Sequence, residues 1–251
     1  MNPLLSRILS LILVLPFLSS CHAEQTMDAE AETECQSWLT ATDDQGQDYL
    51  DSFLFFGEST TYHMKDREVL SGGKNTKQIL APDSGTVNLD HTTKSIPLRD
   101  PETGGYTTIG EAVKQKRPAR LMLTFGLNGA VQKIRRGEEY FKSCYRSLLD
   151  CIRSASPETK IILQSAFPVA KNMDMSRYSI SSEELNRYLD QINQWTHELA
   201  KEYGIGYLNT AEILKDEEGY LRIEYQNGDG HHLTRDAYLE ILSYIRTHGY
   251  H

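Results

Sequence analysis

The sequence predicts an α/β fold in which helices cover both faces of a five-stranded parallel sheet. Short apolar runs recur along the chain with helical stretches between them, and this alternation is typical of a parallel sheet buried on both sides. About 200 residues follow an unusual N-terminal region, enough for one domain with a sizeable core. The predicted strands are residues 52–56, 78–80, 121–125, 161–164 and 205–208.

Two long amphipathic helices are predicted at residues 138–155 and 181–203, where apolar side chains recur every three or four positions. Ser181 suits the N-cap of the second helix, and Gly204 suits the position at which it ends. The segment 71–105 is long and irregular, so we expect it either to be functional or to contain elements that the pattern does not reveal. Shorter helices are predicted at residues 60–66, 108–116 and 234–247.

The first 21 residues are typical of an export signal. One charge, Arg7, precedes an apolar run at residues 8–18, which is shorter than the roughly 20 apolar residues that a membrane-spanning helix needs. The run ends in Leu-Ser-Ser-Cys, which resembles the lipobox of bacterial lipoproteins, in which the cysteine is lipidated and becomes the new N-terminus. We therefore expect export and a membrane anchor through lipid on Cys21; the alternative is ordinary cleavage after Ala23 and secretion.

Residues 22–50 contain eight acids and no Lys or Arg, with few large apolar side chains. Such a segment is expected to be a solvated tether, with Trp38 and Leu39 as candidates for docking on the domain. The whole chain has 35 acids and 26 bases, so leaving out these eight acids and Arg7 gives the predicted domain, residues 51–251, a net charge of −2. A nearly neutral domain does not attract nucleic acid, and nucleic-acid binding is therefore disfavoured.

The four cysteines do not predict a disulfide framework. Cys144 and Cys151 are seven residues apart on a predicted helix, about 10 Å along its axis and too far to bridge. Cys35 could pair only if the tether folded back. The sequence has no metal-ligand spacing such as CxxC or HExxH, so neither a metal nor another cofactor is expected.

Three polar motifs follow predicted strands or lie near the C-terminus. Each has a simpler explanation on its own, as a helix cap, a turn, or solvated surface histidines. Open parallel sheets place their active sites at the carboxyl edge of the strands, so we expect the three motifs to lie close together. The motifs are Gly57-Glu58-Ser59, Gly126-Leu127-Asn128 and Asp229-Gly230-His231-His232.

Together the motifs supply the groups that acyl-transfer chemistry needs. Ser59 offers a hydroxyl nucleophile, and a neutral imidazole can take its proton as general base. The spacing Asp-x-x-His favours His232 as that base over its neighbour His231, with Asp229 fixing the tautomer and stabilising the imidazolium. The side-chain amide of Asn128 can donate to a developing oxyanion. The sequence therefore predicts a serine esterase.

With these motifs the chain resembles the SGNH, or GDSL, hydrolase superfamily. Block I of that family is Gly-Asp-Ser with the nucleophile, block III is Gly-x-Asn, and block V is Asp-x-x-His. The resemblance extends from about Ser52 to the C-terminus. It implies a three-layer α/β/α fold with a flavodoxin-like five-stranded parallel sheet, and ester hydrolysis without a metal.

The sequence departs from the family pattern at two places. Glu58 stands where the family usually has Asp, which bears on the geometry of the turn. Block II, whose glycine N–H is an oxyanion donor, has no clean match; Gly85 is the candidate, and Gly72 or Gly73 is the alternative. On this basis the resemblance implies an oxyanion hole formed by the N–H groups of Ser59 and Gly85 and by the amide of Asn128.

Three functions are compatible with these motifs. The favoured one is a surface-anchored esterase that hydrolyses an acylated carbohydrate or a cell-envelope or lipid ester through an acyl-serine intermediate. The second is an O-acyltransferase that uses the same site. The third is a catalytically silent glycan-binding lipoprotein, suggested by Glu58 and by the missing block II glycine.

Overall fold

The computed structural model describes residues 37–251; the predicted export signal with Cys21, and Cys35, lie outside the described residues. Five parallel strands form the central sheet, and two others form a small antiparallel hairpin. In chain order the strands are β1 (Phe53–Gly57), β2 (Ile79–Leu80), β3 (Leu98–Arg99), β4 (Tyr106–Thr107), β5 (Arg120–Thr124), β6 (Lys160–Gln164) and β7 (Gly206–Leu208).

The central sheet has the order β2-β1-β5-β6-β7. Among its own strands this is the order 2-1-3-4-5, which is the doubly wound arrangement of flavodoxin-like folds. Phe55 of β1 lies opposite Ile79 of β2 on one side and Met122 of β5 on the other. The predicted α/β fold is confirmed, and each predicted strand agrees with an observed one to within one residue at either end.

Helices cover both faces of this sheet. The two long helices were predicted well: Ser181 caps the second by accepting the N–H of Glu184, and Gly204 ends it in the left-handed conformation. None of the helices within residues 37–251 is long and apolar enough to cross a membrane. The α-helices are α1 (Gly46–Asp51), α2 (Ser59–Asp66), α3 (Ile109–Lys116), α4 (Ala130–Arg136), α5 (Glu138–Ala155), α6 (Ser182–Tyr203), α7 (Ala211–Leu214) and α8 (Arg235–Arg246).

The side chains of β1 show how the three layers are built. Leu54 and Phe56 point to one face and join the core under α3, α5 and α6. Phe53 and Phe55 point to the other face and join the core under α1, α2, α7 and α8. Successive residues of a strand face opposite sides, so a strand buried on both faces must be apolar throughout. All five residues of β1 are buried accordingly.

The predicted tether requires a correction, because its described part is packed on the domain. Trp38 forms a parallel bridge with Tyr207 at the outer edge of β7, and the N–H of Leu39 donates to Tyr207 O at 2.9 Å. Tyr49 and Leu50 are buried in helix α1. The acidic composition of residues 22–50 obscured the fact that its large apolar side chains are concentrated in the C-terminal half. The docking of Trp38 and Leu39 agrees with the prediction, whereas the domain boundary at residue 51 is too late.

The irregular segment 71–105 contains elements that the sequence pattern did not reveal. Strand β2 and the first strand of the hairpin lie in it, together with two short 3₁₀ helices at Gly73–Asn75 and Thr93–Ser95. Ala81 forms an antiparallel bridge with Arg99, which ties the hairpin to the end of β2. Outside this segment, Cys144 and Cys151 do not form a disulfide with each other, as predicted.

Candidate active site

Ser59 lies at the junction of β1 and α2. Gly57 ends the strand, and a Cβ atom there would lie 2.4 Å from Thr61 Oγ1 and 2.5 Å from Thr124 O, so only glycine fits. Glu58 is the N-cap of α2, and Ser59 is its first helical residue. The explanation of Ser59 as a simple N-cap therefore does not hold. Its hydroxyl instead lies 3.0 Å from Nε2 of His232.

His232 and Asp229 complete a hydrogen-bonded chain with the serine. Nδ1 of His232 lies 2.6 Å from Oδ2 of Asp229, so Nε2 is left to accept the proton of the Ser59 hydroxyl. Oδ1 of Asp229 accepts the backbone N–H groups of His231 and His232 at 3.0 and 2.9 Å. Burial acts to raise the pKa of Asp229, but these backbone hydrogen bonds and the His232 ring outweigh it and hold the pKa at about 2.

The ring of His232 lies between two other imidazoles. The ring centroid of His231 is 4.0 Å away, and that of His63, one turn beyond Ser59 on α2, is 4.3 Å away. Burial, followed by the charge of His232, lowers the pKa of both neighbours. The ring that faces the serine is that of His232, whereas Nδ1 of His231 faces Asp229. Sequence reasoning missed His63, although its position four residues after Ser59 places both on the same face of a helix.

Two hydrogen-bond donors converge beside the serine hydroxyl. The backbone N–H of Ser59 and the side-chain amide of Asn128 both donate to Oγ1 of Thr86, at 3.1 and 2.8 Å. These are two of the three groups predicted for the oxyanion hole. The point at which they meet lies at the carboxyl edge of β1 and β5, where parallel sheets place their ligands.

The third predicted donor, Gly85, requires a correction. Its N–H donates to Pro82 O at 2.9 Å, inside a turn, and so is not directed to the point where the other donors meet. The alternatives Gly72 and Gly73 belong to a short 3₁₀ helix and its cap, in which the N–H of Gly73 donates to Leu70 O. Gly85 has φ +70°, so it provides a left-handed turn that only glycine adopts readily.

Glu58 connects the serine turn to the asparagine loop. It is buried, and its two carboxylate oxygens accept the N–H groups of Gly126 and Leu127 at 2.9 and 3.1 Å. Burial raises the pKa of Glu58, while the charge of Lys133 and the backbone N–H groups of the loop oppose the rise. Lys133 is also buried, and its Nζ donates to Asn128 O. The longer side chain of Glu58 therefore holds the loop of Asn128.

Within residues 37–251, the group of side chains that could hold a metal includes members of the same hydrogen-bonded chain. One ligand atom each from Asp229, His231 and His232 lies within 4.8 Å of the others. However, Nδ1 of His232 is already hydrogen-bonded to Oδ2 of Asp229. A cation at this position would therefore compete with the contact that orients His232 toward Ser59.

A flavodoxin-like sheet with a Ser–His–Asp chain at its carboxyl edge has the architecture of an SGNH hydrolase. The profile of the GDSL-like lipase/acylhydrolase family matches residues 55–239. The chain belongs to this family. No curated protein matches the chain significantly.

Solved structures with the same fold are distant in sequence. A Streptococcus pneumonia protein with the provisional name platelet activating factor is 17% identical, with a TM-score of 0.56; the alignment covers 91% of this chain and 98% of that one. A DUF4886 family protein from Bacteroides uniformis is 14% identical, with a TM-score of 0.50 and coverage of 79% and 83%. At these identities the likeness concerns the fold alone.

Proposed function

We propose that the protein is a serine esterase that hydrolyses an acyl ester through an acyl intermediate on Ser59. The observation that carries this proposal is the chain of hydrogen bonds from Ser59 through His232 to Asp229, with distances of 3.0 and 2.6 Å, next to two converging donors. Membership of an acylhydrolase family supports the same reaction.

In the proposed reaction, Oγ of Ser59 attacks the ester carbonyl while Nε2 of His232 takes its proton. Asp229, ionised because of its low pKa, stabilises the imidazolium that forms. The N–H of Ser59 and the amide of Asn128 stabilise the oxyanion. The imidazolium then protonates the leaving alcohol, and a water molecule, activated by the same imidazole, releases the acid and frees the serine. None of these steps requires a metal.

We further propose that the ester belongs to an acylated carbohydrate or to a cell-envelope or lipid component. The exported location predicted from the N-terminus supports this class, since such substrates lie outside the cytoplasm. The site is also open: Ser59 and Asn128 are half-buried, and Thr86 and Asp229 are exposed. An open site can accept an acyl group attached to a large molecule, and its access to water favours hydrolysis over transfer to a sugar hydroxyl.

A fluorophosphonate probe tests the proposed nucleophile directly. We expect the purified protein to be labelled at Ser59, as located by peptide mapping, and the His232→Ala variant to be labelled far more slowly. The protein should also hydrolyse p-nitrophenyl acetate in the presence of EDTA. Absence of both labelling and turnover would contradict the esterase and favour the silent glycan-binding protein. With an added glycan acceptor, acylated glycan instead of free acid would identify an O-acyltransferase.

The proposed lipid anchor is tested separately. We expect Cys21→Ala to release the protein from the membrane fraction and to abolish labelling with a lipid precursor. Cys35→Ala is the matched control, since it changes a nearby cysteine outside the lipobox-like sequence and should leave the protein in the membrane fraction. Equal membrane retention of the two variants would support secretion or another mode of attachment.

A further inference from the structure

A threonine hydroxyl occupies the point at which the oxyanion donors meet. Oγ1 of Thr86 lies 3.1 Å from the backbone nitrogen of Ser59 and 2.8 Å from Nδ2 of Asn128. These are hydrogen-bond distances, and both nitrogens donate, so the hydroxyl oxygen takes the position that the ester carbonyl oxygen must occupy during attack. The backbone N–H of Gly85, the residue before Thr86, does not point to this position but donates to Pro82 O.

The loop that carries Thr86 is fixed on both sides of this residue. Gly85 packs against the ring of Tyr62, since a Cβ on this glycine would lie 3.0 Å from Cδ1 of the ring. On the other side, Val87 is buried, and its carbonyl accepts a second hydrogen bond from Asn128 at 3.3 Å. The backbone at Thr86 is therefore held in place, while its exposed side chain has room to rotate.

We propose that Thr86 is a catalytic residue, whose hydroxyl supplies the third hydrogen bond to the oxyanion in place of a glycine N–H. This proposal rests on the esterase function proposed above. A hydroxyl both accepts and donates hydrogen bonds. In the resting enzyme the oxygen of Thr86 accepts from Ser59 and Asn128. When the ester carbonyl arrives, the side chain rotates out of the position, and its O–H donates to the oxyanion together with the other two groups. Thr86 keeps its proton throughout.

The alternative is that the Thr86 side chain only blocks the position and moves aside without taking part. The two roles predict opposite effects of removing the hydroxyl. If Thr86 is a donor, kcat falls, and KM stays the same or decreases because substrate no longer has to displace the hydroxyl from its two donors. If Thr86 is only an obstacle, removing it makes substrate binding easier without loss of kcat.

The test compares Thr86→Val, Thr86→Ala and Thr86→Ser in hydrolysis of p-nitrophenyl acetate. We expect Thr86→Val and Thr86→Ala to lower kcat by about 10²-fold, the loss typical of one oxyanion donor, without an increase in KM. Thr86→Ser keeps the hydroxyl and should retain kcat to within about threefold of wild type. The matched control is Ser84→Ala, which removes the hydrogen bond from Ser84 Oγ to the carbonyl of Thr86 but no group at the site.

Several outcomes would overturn the proposal. These are an unchanged kcat in Thr86→Val, a higher kcat/KM in Thr86→Ala, or a loss in Ser84→Ala as large as that in Thr86→Val, which would indicate a role in loop order alone. Melting temperatures of all four variants show whether each is folded. If Thr86→Val and Thr86→Ala do not fold, Thr86→Ser still tests the proposal, because it keeps the hydroxyl. If wild type is neither labelled at Ser59 nor active, the esterase function itself has failed, which is distinct from these results.

Discussion

The two sides of the proposed active site are held in different ways. On the side of Ser59 and Asn128, the carboxylate of Glu58 is buried and joins the two loops from inside. On the side of His232, the side chain of Asp229 is 41% exposed and accepts N–H groups of its own loop. Removing one partner of a buried charged contact costs far more free energy than removing an exposed one. We therefore expect changes on the first side to affect stability and geometry together, and changes on the second to affect chemistry more than stability.

The largest expected effect concerns chemistry on the exposed side. His232→Ala should lower kcat by on the order of 10⁴-fold to 10⁶-fold, because the serine loses its general base. The free energy of unfolding should change by about 1 kcal/mol, since removing this ring, which is 18% exposed, leaves no fully buried charge without a partner. Hydrolysis of p-nitrophenyl acetate and urea unfolding measure the two quantities. His231→Ala is the matched control and should keep kcat within about tenfold of wild type; equal losses in the two variants would show that His232 is not the only base.

The next largest effect concerns stability on the buried side. Glu58→Gln replaces one acceptor oxygen by an NH2 group, so only one of the N–H groups of Gly126 and Leu127 keeps its acceptor. It also leaves the charge of Lys133 buried without its counterpart. We expect it to lower the free energy of unfolding by about 3 kcal/mol, measured in urea, and to lower kcat because Asn128 is no longer fixed.

The variant Lys133→Met distinguishes the effect of the charge interaction between Lys133 and Glu58 from that of the hydrogen bonds that Glu58 accepts. The double variant Glu58→Gln with Lys133→Met leaves neither charge buried alone, so it should be less destabilised than the sum of the single variants. If the losses of unfolding free energy in the single variants simply added up in the double variant, the two side chains would not interact. If Glu58→Gln did not change the free energy of unfolding, the proposed difference between the two sides of the site would be contradicted.

The parts of the molecule that could be predicted from sequence are those that depend on local patterns. Strands, the long helices and their caps depend on local patterns, so the ends of α5 and the cap at Ser181 were predicted correctly. Helix α4 was missed because it is seven residues long and its N-cap, Gly129, has no side chain to signal it. Lys133 was missed with it, since a lysine on an unrecognised helix gives no sign of burial.

The oxyanion region shows a second limit. The motifs identified Ser59 and Asn128 because each lies a few residues beyond the end of a strand whose place in the sheet is predictable. The role of Gly85 was transferred from the family resemblance, and the structure directs its N–H elsewhere. Thr86 could not be identified from sequence because its position depends on how a long irregular segment folds back over β1 and β5. Only the contacts with Ser59 and Asn128 reveal it.

His63 offers a smaller test of how the exposed side is held. Its ring packs on that of His232, so His63→Ala should lower kcat by about threefold to tenfold through looser positioning of the base. His63→Phe keeps an aromatic ring at this place and should retain most of the activity at pH 8. An equal loss in the two variants would indicate that His63 acts through its nitrogen atoms and not through packing.

A comparison of wild type with His63→Phe also gives a pH test. Burial, and next the charge of His232, lower the pKa of His63, whereas the charges of Asp66 and Asp229 oppose this and that of Arg67 adds to it. A histidine with a lowered pKa is protonated more readily in the unfolded chain, so it destabilises the folded protein as pH falls through the normal histidine range. His63→Phe lacks this group, and its melting temperature should therefore gain on that of wild type between pH 7.5 and 5. A difference in melting temperature that stays constant over this pH range would contradict the lowered pKa of His63.

The smallest expected effect concerns the contribution of the Asp229 charge to the stability of the fold. Its pKa is about 2 in the folded protein and near 3.8 in the unfolded chain, so its charge contributes stability that is complete above the unfolded value and is lost as pH falls toward 2. The difference in melting temperature between wild type and Asp229→Asn should widen from pH 7 to 5, because loss of this charge lowers the pKa of His63 and His231 further, and it should narrow below pH 4. Asp229 also remains ionised between pH 7 and 5, so we do not expect a loss of activity in this range to come from this carboxylate. If Asp229→Asn abolished that acid loss while keeping substantial activity, the carboxylate itself would be titrating in this range, and the hydrogen bonds from its own loop would be too weak to hold it as described.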